Sequence, residues 1–271
     1  MTKTFPDWAS QPFSDFLEYS DRLHKILHLC MHGILTLRGI PNVIEVLRDT
    51  AKEYERDGYD ENRLKRARQE ADLAQSEADN GFPILHSQTT IALWSSLESL
   101  VRTFLVAWLT NVEDAKSCDE LKKVKVRLGE YESLIGEDRN YYLLDLLEDS
   151  MGTRRSPGIG RFEALFNAFG LTSQINADIS RTLFEQYHVR NVLIHRRAIA
   201  DRKLVASCPW LNLSVGQPVT VKHQTYQDYN LAVGDYVLEL IQRTRLYFGL
   251  ERYEIPIPKT TDAITPNDSN T

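Results

Sequence analysis

Cysteine is scarce in this chain and is not arranged for cross-linking. The 271 residues contain three cysteines, which are odd in number, far apart and without CxxC spacing (Cys30, Cys118 and Cys208). This pattern excludes a disulfide framework and a four-cysteine metal site. The chain also lacks a run of about 20 apolar residues, the length of a membrane span. We therefore expect no membrane-spanning segment.

A basic leader followed by a cleavage site is also missing. The first long apolar-rich stretch, residues 26–37, is interrupted by two histidines and a glycine and follows several acidic residues, unlike a secretory signal peptide. Together with the cysteine pattern, this predicts a cytoplasmic protein. The glycine-rich stretch at residues 152–160 lacks the lysine and strand context of a phosphate-binding loop. We expect no cofactor.

An excess of positive charge is missing as well. The formal net charge is −6 at pH 7, which argues against a protein that coats nucleic acid through overall attraction. Cationic residues are nevertheless concentrated in residues 190–203, where five of them stand against one acidic residue and give a local charge of +4 (Arg190, Arg196, Arg197, Arg202 and Lys203 against Asp201). The sequence therefore predicts one focused cationic site in an acidic chain.

Apolar residues at helical spacing are abundant. Hydrophobic residues make up 42% of the chain, and they recur three or four positions apart, which is typical of helices with one buried face. This spacing predicts an all-α protein. The first three segments with this spacing are separated by breaks at Gly39 and at Gly58. They predict an N-terminal helical region over residues 1–80.

A second helical region is predicted over residues 84–250. Its first helix, residues 84–110, is the most apolar segment and has one polar stripe that includes Glu98. Further helices are predicted at residues 121–128, 140–148 and 161–169, then one capped by Thr172 or Ser173, and a last one at residues 226–248. Weak alternation in residues 211–215 and 219–223, around Gly216 and Pro218, predicts a small β-hairpin before the last helix. Residues 255–271 are predicted to be a disordered tail.

The hexapeptide RNVLIH at residues 190–195 says most about function. Arg190 is suited to grip a phosphate through a planar fork of donors, and the His195 imidazole is suited to accept and return protons near neutral pH. On one continuous helix, five positions of about 100° each would place these residues about 140° apart. They would converge only if the backbone bends or if two chains meet.

The hexapeptide is similar to the R-x(4–6)-H signature of the HEPN superfamily (higher eukaryotes and prokaryotes nucleotide-binding), in which a small polar residue such as Asn191 commonly follows the arginine. The helical context over about residues 84–250 also resembles bacterial members. The resemblance implies a HEPN-like helical bundle with metal-independent endoribonuclease activity, usually a homodimer whose two motifs face each other across a cleft. It also implies a toxin or abortive-infection role in antiviral defence, with an antitoxin or regulatory protein as partner.

One position departs from part of that family. Toxin members that are paired with a nucleotidyltransferase antitoxin commonly have a tyrosine two places after the histidine. Arg197 occupies that place here. The departure argues against regulation by nucleotide transfer.

Metal-free RNA cleavage uses the neighbouring 2'-hydroxyl as the nucleophile and gives 2',3'-cyclic phosphate and 5'-hydroxyl ends. The protein must remove the hydroxyl proton, neutralise charge on the phosphoryl oxygens and protonate the leaving 5'-oxygen. His195 fits proton transfer, Arg190 fits charge stabilisation, and Asn191 fits holding a phosphate oxygen or orienting the imidazole. One histidine cannot easily be both base and acid, which is a physical reason to expect an isologous homodimer.

The neighbouring charges each have more than one interpretation. Four cations either contact the RNA backbone or form a solvated face (Arg196, Arg197, Arg202 and Lys203). Glu98 orients the histidine, pairs with Arg190, or is simply solvated or part of an interface. Asp201 pairs with Arg196 or Arg197 or caps a turn.

Three further histidines, His24, His28 and His32, recur every four residues and would align on one helix face as metal ligands. The glutamate of a zincin motif is missing because Lys25 follows His24, so a surface stripe is favoured and no metal site is predicted.

Two other functions stay open. One is a non-catalytic helical module that uses the same cationic site to bind RNA, a nucleotide or a protein partner. The other is an antitoxin-like or scaffold subunit that binds through its N-terminal helices.

Overall fold

The computed structural model describes residues 4–53, 61–153 and 156–253. Eleven α-helices lie in these ranges: α1 (Asp7–Leu37), α2 (Ile40–Glu53), α3 (Glu61–Asp79), α4 (Pro83–Asn111), α5 (Asp119–Lys122), α6 (Leu128–Ser133), α7 (Asp138–Met151), α8 (Gly160–Ala168), α9 (Ala177–His195), α10 (Arg202–Ser207) and α11 (His223–Tyr247). Short 3-10 turns lie at Glu113–Ser117 and Pro209–Leu211. No β-strand is assigned within the described ranges, and the all-α prediction is confirmed.

Helix α4 lies at the centre of the bundle. Pro83 occupies its first turn, where a missing N–H removes no helical hydrogen bond. Thirteen of its side chains are buried, and it packs against α1, α7, α9 and α11. Trp94 and Trp108 are both nearly inaccessible to solvent. The prediction of an apolar central helix over residues 84–110 is therefore confirmed.

The same helix is long and apolar enough, by length and composition, to cross a membrane. Half of its most apolar window is buried inside the protein. Core helices can be as long and apolar as this, and α4 packs against four neighbouring helices.

The N-terminal helices contribute to two cores. Ala9, Phe13 and Phe16 of α1 belong to the same buried cluster as the apolar side of α4. A second, small cluster joins α2 to α3 through Ile44 and Leu64. Helix α1 of the predicted N-terminal region therefore shares a core with the rest of the bundle. The predicted break at Gly58 and the predicted tail lie outside the described residues.

The predicted β-hairpin before the last helix is wrong. Residues 217–219 are extended, but they pair with residues 198–200, with the Ala200 N–H donating to the Gln217 carbonyl at 2.8 Å and the Val219 N–H to the Ala198 carbonyl at 2.7 Å. Residues 211–215, the partner predicted for this segment, follow the 3-10 turn at Pro209–Leu211, which packs on α9. There Trp210 donates to Glu185 and stacks on the Arg181 guanidinium at 4.4 Å.

Two helix boundaries also differ from prediction. The prediction of a helix over residues 121–128 is wrong, since α5 ends at Lys122 and α6 begins only at Leu128. The cap predicted at Thr172 or Ser173 is wrong as well. Asn176 caps α9 by accepting from the Asp178 N–H at 2.7 Å, whereas the Ser173 hydroxyl donates to Glu239 of α11.

A buried ion pair fastens α8 to α11. The Arg243 side chain is only 2% exposed, and its Nη2 lies 2.9 Å from Oε2 of Glu163. The Tyr236 hydroxyl donates to the other carboxylate oxygen of Glu163 at 2.6 Å. Burial, together with the Glu163 charge, raises the pKa of Tyr236 well above its ordinary value. One carboxylate therefore satisfies two polar groups of the core.

The structure contains two pairs of neighbouring histidines. One pair lies on α1, and the other lies between the starts of α4 and α11. His86 is fully buried. Its Nδ1 donates to the Gly81 carbonyl at 3.0 Å, so its Nε2 accepts from Nδ1 of His223 at 3.2 Å when the ring is neutral. On α1, the ring nitrogens of His24 and His28 are 3.1 Å apart. Burial is the main cause that lowers the pKa of both His86 and His24.

We expect the free energy of unfolding to fall as the pH is lowered from about 7.5 to about 5.5. The pKa of an unfolded imidazole is about 6.5, and the pKa values of His86 and His24 in the folded protein are lower. Above the unfolded pKa, the contribution of these two residues to the stability of the fold is complete. It is lost as the pH falls through the folded pKa, because the unfolded chain takes up protons more readily. Thermal melts across this range measure the effect. The variant His86→Asn keeps a donor near Gly81 but cannot titrate, and a pH dependence as steep as that of wild type would contradict the explanation.

Candidate functional site

The hexapeptide RNVLIH forms the last turns of α9, which runs without a break to His195. No bend brings Arg190 and His195 together within one chain, so the two side chains leave the helix in different directions. The bend comes directly afterwards, where Arg197 and Ala198 both have a left-handed backbone with φ of 54° and 59°. The Ala198 N–H donates to the Val192 carbonyl at 3.1 Å and closes the helix end.

A cavity of about 380 Å³ opens on one side of this helix end. Its polar lining comes from α9 and from the segment that folds back after it (His188, Asn191, His195, Arg196, Asp201 and Lys203). Val192 and Leu204 are its apolar lining and are themselves buried. The cavity gathers two imidazoles, one amide and two cations in a single chain, and the one carboxylate is Asp201.

Arg190 lies outside this cavity lining but touches one of its members. Its Nη1 donates to Oδ1 of Asn191 at 3.2 Å, and its Nη2 lies 3.7 Å from Oε2 of Glu98 on α4. The amide oxygen of Asn191 is thereby occupied, which leaves its NH₂ group to donate toward the cavity. Within one chain, Arg190 positions Asn191. Of the alternatives left open for Glu98, the structure shows the ion pair with Arg190, and among the described residues Glu98 makes no hydrogen bond or ion pair with His195.

Arg190 is the last member of a charge row across four helices. The row alternates in sign, with these separations between charged atoms: Asp145 to Arg102 2.7 Å, Arg102 to Glu148 3.5 Å, Glu148 to Arg161 3.7 Å, Arg161 to Glu98 3.5 Å and Glu98 to Arg190 3.7 Å. Glu98 is shared between two guanidinium groups, and only 20% of the Arg190 side chain is exposed. The row holds the Arg190 guanidinium against Glu98 of α4.

The four predicted RNA-contacting cations divide into two groups. Arg196 and Lys203 line the cavity. Arg197 lines a smaller cavity of about 220 Å³ on the α4 side, and Arg202 is exposed at the start of α10. The structure therefore gathers two of the four around the histidines.

Asp201 has both of the structural roles predicted for it. Its Oδ1 accepts from the Leu204 N–H at 2.8 Å and caps α10. Its Oδ2 lies 3.6 Å from Nε of Arg196. The carboxylate therefore holds α10 at the edge of the cavity and keeps Arg196 near it.

Sequence reasoning missed His188. The spacing of His188, Asn191 and His195 is three and then four positions, which puts all three on one side of a helix. That spacing was readable from the sequence, but the leading residue of the hexapeptide, Arg190, belongs to another side of α9. His188 is 3% exposed, and its Nε2 has no hydrogen-bond partner.

The structure brings together two of the three histidines of the α1 stripe, His24 and His28. His24 and His28 contact each other, while His32 is exposed. Among the described residues there is no group of three or more histidine, cysteine, aspartate or glutamate side chains that could hold a metal ion.

Comparison of the chain with protein-family models, with curated proteins and with solved structures gives no match.

Proposed function

We propose that this protein is a metal-independent endoribonuclease and that the cavity at the end of α9 holds the scissile phosphate. One observation carries the proposal: a single cavity is lined by the His195 imidazole, the Asn191 amide and the cations Arg196 and Lys203. Proton transfer and charge neutralisation, the two requirements of metal-free RNA cleavage, are the chemistry of these groups. The HEPN-like fold and the defence or toxin role that the sequence resemblance implies are part of this proposal.

The reaction proceeds by attack of the 2'-oxygen on phosphorus as the bond to the 5'-oxygen breaks. Arg196 and Lys203 face the phosphoryl oxygens, where charge-assisted hydrogen bonds stabilise the negative charge of the transition state. Asn191 donates through its NH₂ group, because Arg190 holds its oxygen. His195 exchanges a proton with the reacting oxygens.

Arg190 has a different role here from the one that the sequence alone predicts. It supports Asn191 within its own chain and is itself held by Glu98. Direct contact of Arg190 with the scissile phosphate would require the second chain of a homodimer, whose two motifs would face each other across the symmetry axis. The homodimer, the antitoxin or regulatory partner and the cytoplasmic location stay predictions.

The test is cleavage of a labelled RNA oligonucleotide by the purified protein in excess chelator. We expect products with 2',3'-cyclic phosphate and 5'-hydroxyl ends. A matched oligonucleotide with a single 2'-deoxy sugar at the cleaved position should stay intact at that position, because it lacks the nucleophile. Cleavage that stops in chelator, or that continues past the deoxy sugar, would contradict the proposal. Binding of RNA with no cleaved product would favour a non-catalytic RNA-binding module instead.

A further inference from the structure

His188 lies in the same cavity as His195. Seven positions on a helix correspond to a rotation within about 20° of two full turns and to a rise of about 10 Å, so the two residues lie one above the other on α9. Asn191 lies between them, and all three line the cavity. A phosphodiester group bound beside Asn191 would therefore have one of the two histidine positions on either side of it along the helix axis.

The His188 ring is fixed in place but has a free nitrogen. Phe184 and Tyr187 contact it edge to face, with ring centroids 4.6 and 5.2 Å away. Its Nε2 is buried without a hydrogen-bond partner, and leaving a buried polar group unpaired is unfavourable. A ligand oxygen that reaches this nitrogen from the cavity would supply the missing partner.

The surroundings keep this ring neutral near pH 7. Burial is the main cause that lowers the pKa of His188, and the positive charge of Lys203 lowers it further. Asp201 acts in the opposite direction. Lys203 and Asp201, which follow α9 in the chain, are the two charged groups that shift the pKa of the His188 ring. A neutral imidazole with an unpartnered ring nitrogen is suited to accept a proton, whereas His195 is exposed at the helix end.

We propose that His188 and His195 of the same chain are the base and the acid of RNA cleavage, an inference that rests on the proposed function. His188 takes the proton of the 2'-hydroxyl while the 2'-oxygen forms its bond to phosphorus. As the bond from phosphorus to the 5'-oxygen breaks, His195 gives its proton to that oxygen. One proton is gained and one is lost by the pair, and exchange with water restores both rings. A second chain is then unnecessary for the acid–base chemistry.

The test compares two RNA substrates that differ only in the bridging 5'-atom at the cleavage site, oxygen or sulfur. A thiolate leaves without being protonated, so the sulfur substrate needs the base but no acid. We expect His195→Ala to cleave the oxygen substrate at least about 100-fold more slowly than wild type and to recover most of that loss with sulfur. His188→Gln should be slow on both substrates by a similar factor.

Each outcome decides between specific alternatives. If wild type cleaves RNA and His188→Gln cleaves both substrates at the wild-type rate, the role of His188 is overturned while the proposed function stands. If sulfur rescues His188→Gln and not His195→Ala, the assignment of base and acid is overturned. If wild type cleaves neither substrate in chelator, both proposals fall together.

Because His188 is buried, folding of its variants is checked by thermal melts, and His188→Asn serves as a second variant. Wild type supplies a readout that needs no substitution. Its rate on the oxygen substrate should fall on both sides of a pH optimum, since one imidazole must be neutral and the other protonated. On the sulfur substrate the loss of rate at high pH should disappear. A single-limbed profile on the oxygen substrate would overturn the two-imidazole mechanism.

Discussion

Replacement of His195 by alanine should lower the rate of RNA cleavage by about 10²–10⁴-fold, the usual contribution of one general acid–base group. The side chain is exposed at the end of α9 and lines the cavity, so its removal takes away chemistry without opening a hole in the core. The melting temperature should therefore stay within about 2 °C of wild type. Single-turnover cleavage of labelled RNA in chelator, measured beside a thermal melt of the same sample, tests both statements.

His32→Ala is the matched control for this experiment. It removes another exposed imidazole, from α1, outside the lining of the cavity. Its cleavage rate should equal that of wild type. Wild-type rates in both His195→Ala and His32→Ala would show that the cavity is not where RNA is cut. An equal loss of rate in both variants would point to a general effect of histidine removal.

The largest loss of stability is expected from Glu163→Ala, at about 3–5 kcal/mol in the free energy of unfolding. The substitution leaves the Arg243 guanidinium, only 2% exposed, without the carboxylate that lies 2.9 Å from it. It also removes the acceptor of the buried Tyr236 hydroxyl. Removing one partner of a buried pair is costly because the remaining charge stays out of water. Urea denaturation measures the loss.

Two variants separate charge from hydrogen bonding at this position. Glu163→Gln keeps an acceptor for Tyr236 but loses the negative charge, so its loss of stability should be smaller than that of Glu163→Ala. Glu239→Ala removes a more distant carboxylate, 3.9 Å from Nε of Arg243, and should cost less than either. A loss below about 1 kcal/mol in Glu163→Ala would mean that water reaches Arg243 readily.

The long helices could be predicted from sequence because their apolar spacing and their breaks agree. Residues 84–110 carry a continuous apolar stripe bounded by Pro83, and α4 follows it closely. The failure of the predicted hairpin could not be foreseen, because the conformation of this segment depends on distant residues. Trp210 anchors the 3-10 turn at Pro209–Leu211 on α9, and residues 217–219 pair with residues 198–200. Local alternation contains no information about either contact.

The candidate site was predictable in part for a similar reason. Asn191 and His195 are four positions apart, and both line the cavity on α9. The placement of Arg190 against Glu98 requires knowledge of how α9 packs on α4, so the sequence left it among several alternatives. His188 was missed because it lies outside the motif, which begins at Arg190. It is nevertheless on the same side of α9 as Asn191 and His195, one turn before Asn191.

The charge row from Asp145 to Arg190 has an evolutionary consequence. Each interior member has oppositely charged neighbours on both sides, so the effects of substitutions along the row should not add independently. A lineage that neutralises Glu98 leaves two facing guanidinium groups in repulsion and gains from a compensating change at Arg161 or Arg190. Covariation among these positions, more than invariance at any one of them, is what we expect of the row in related chains.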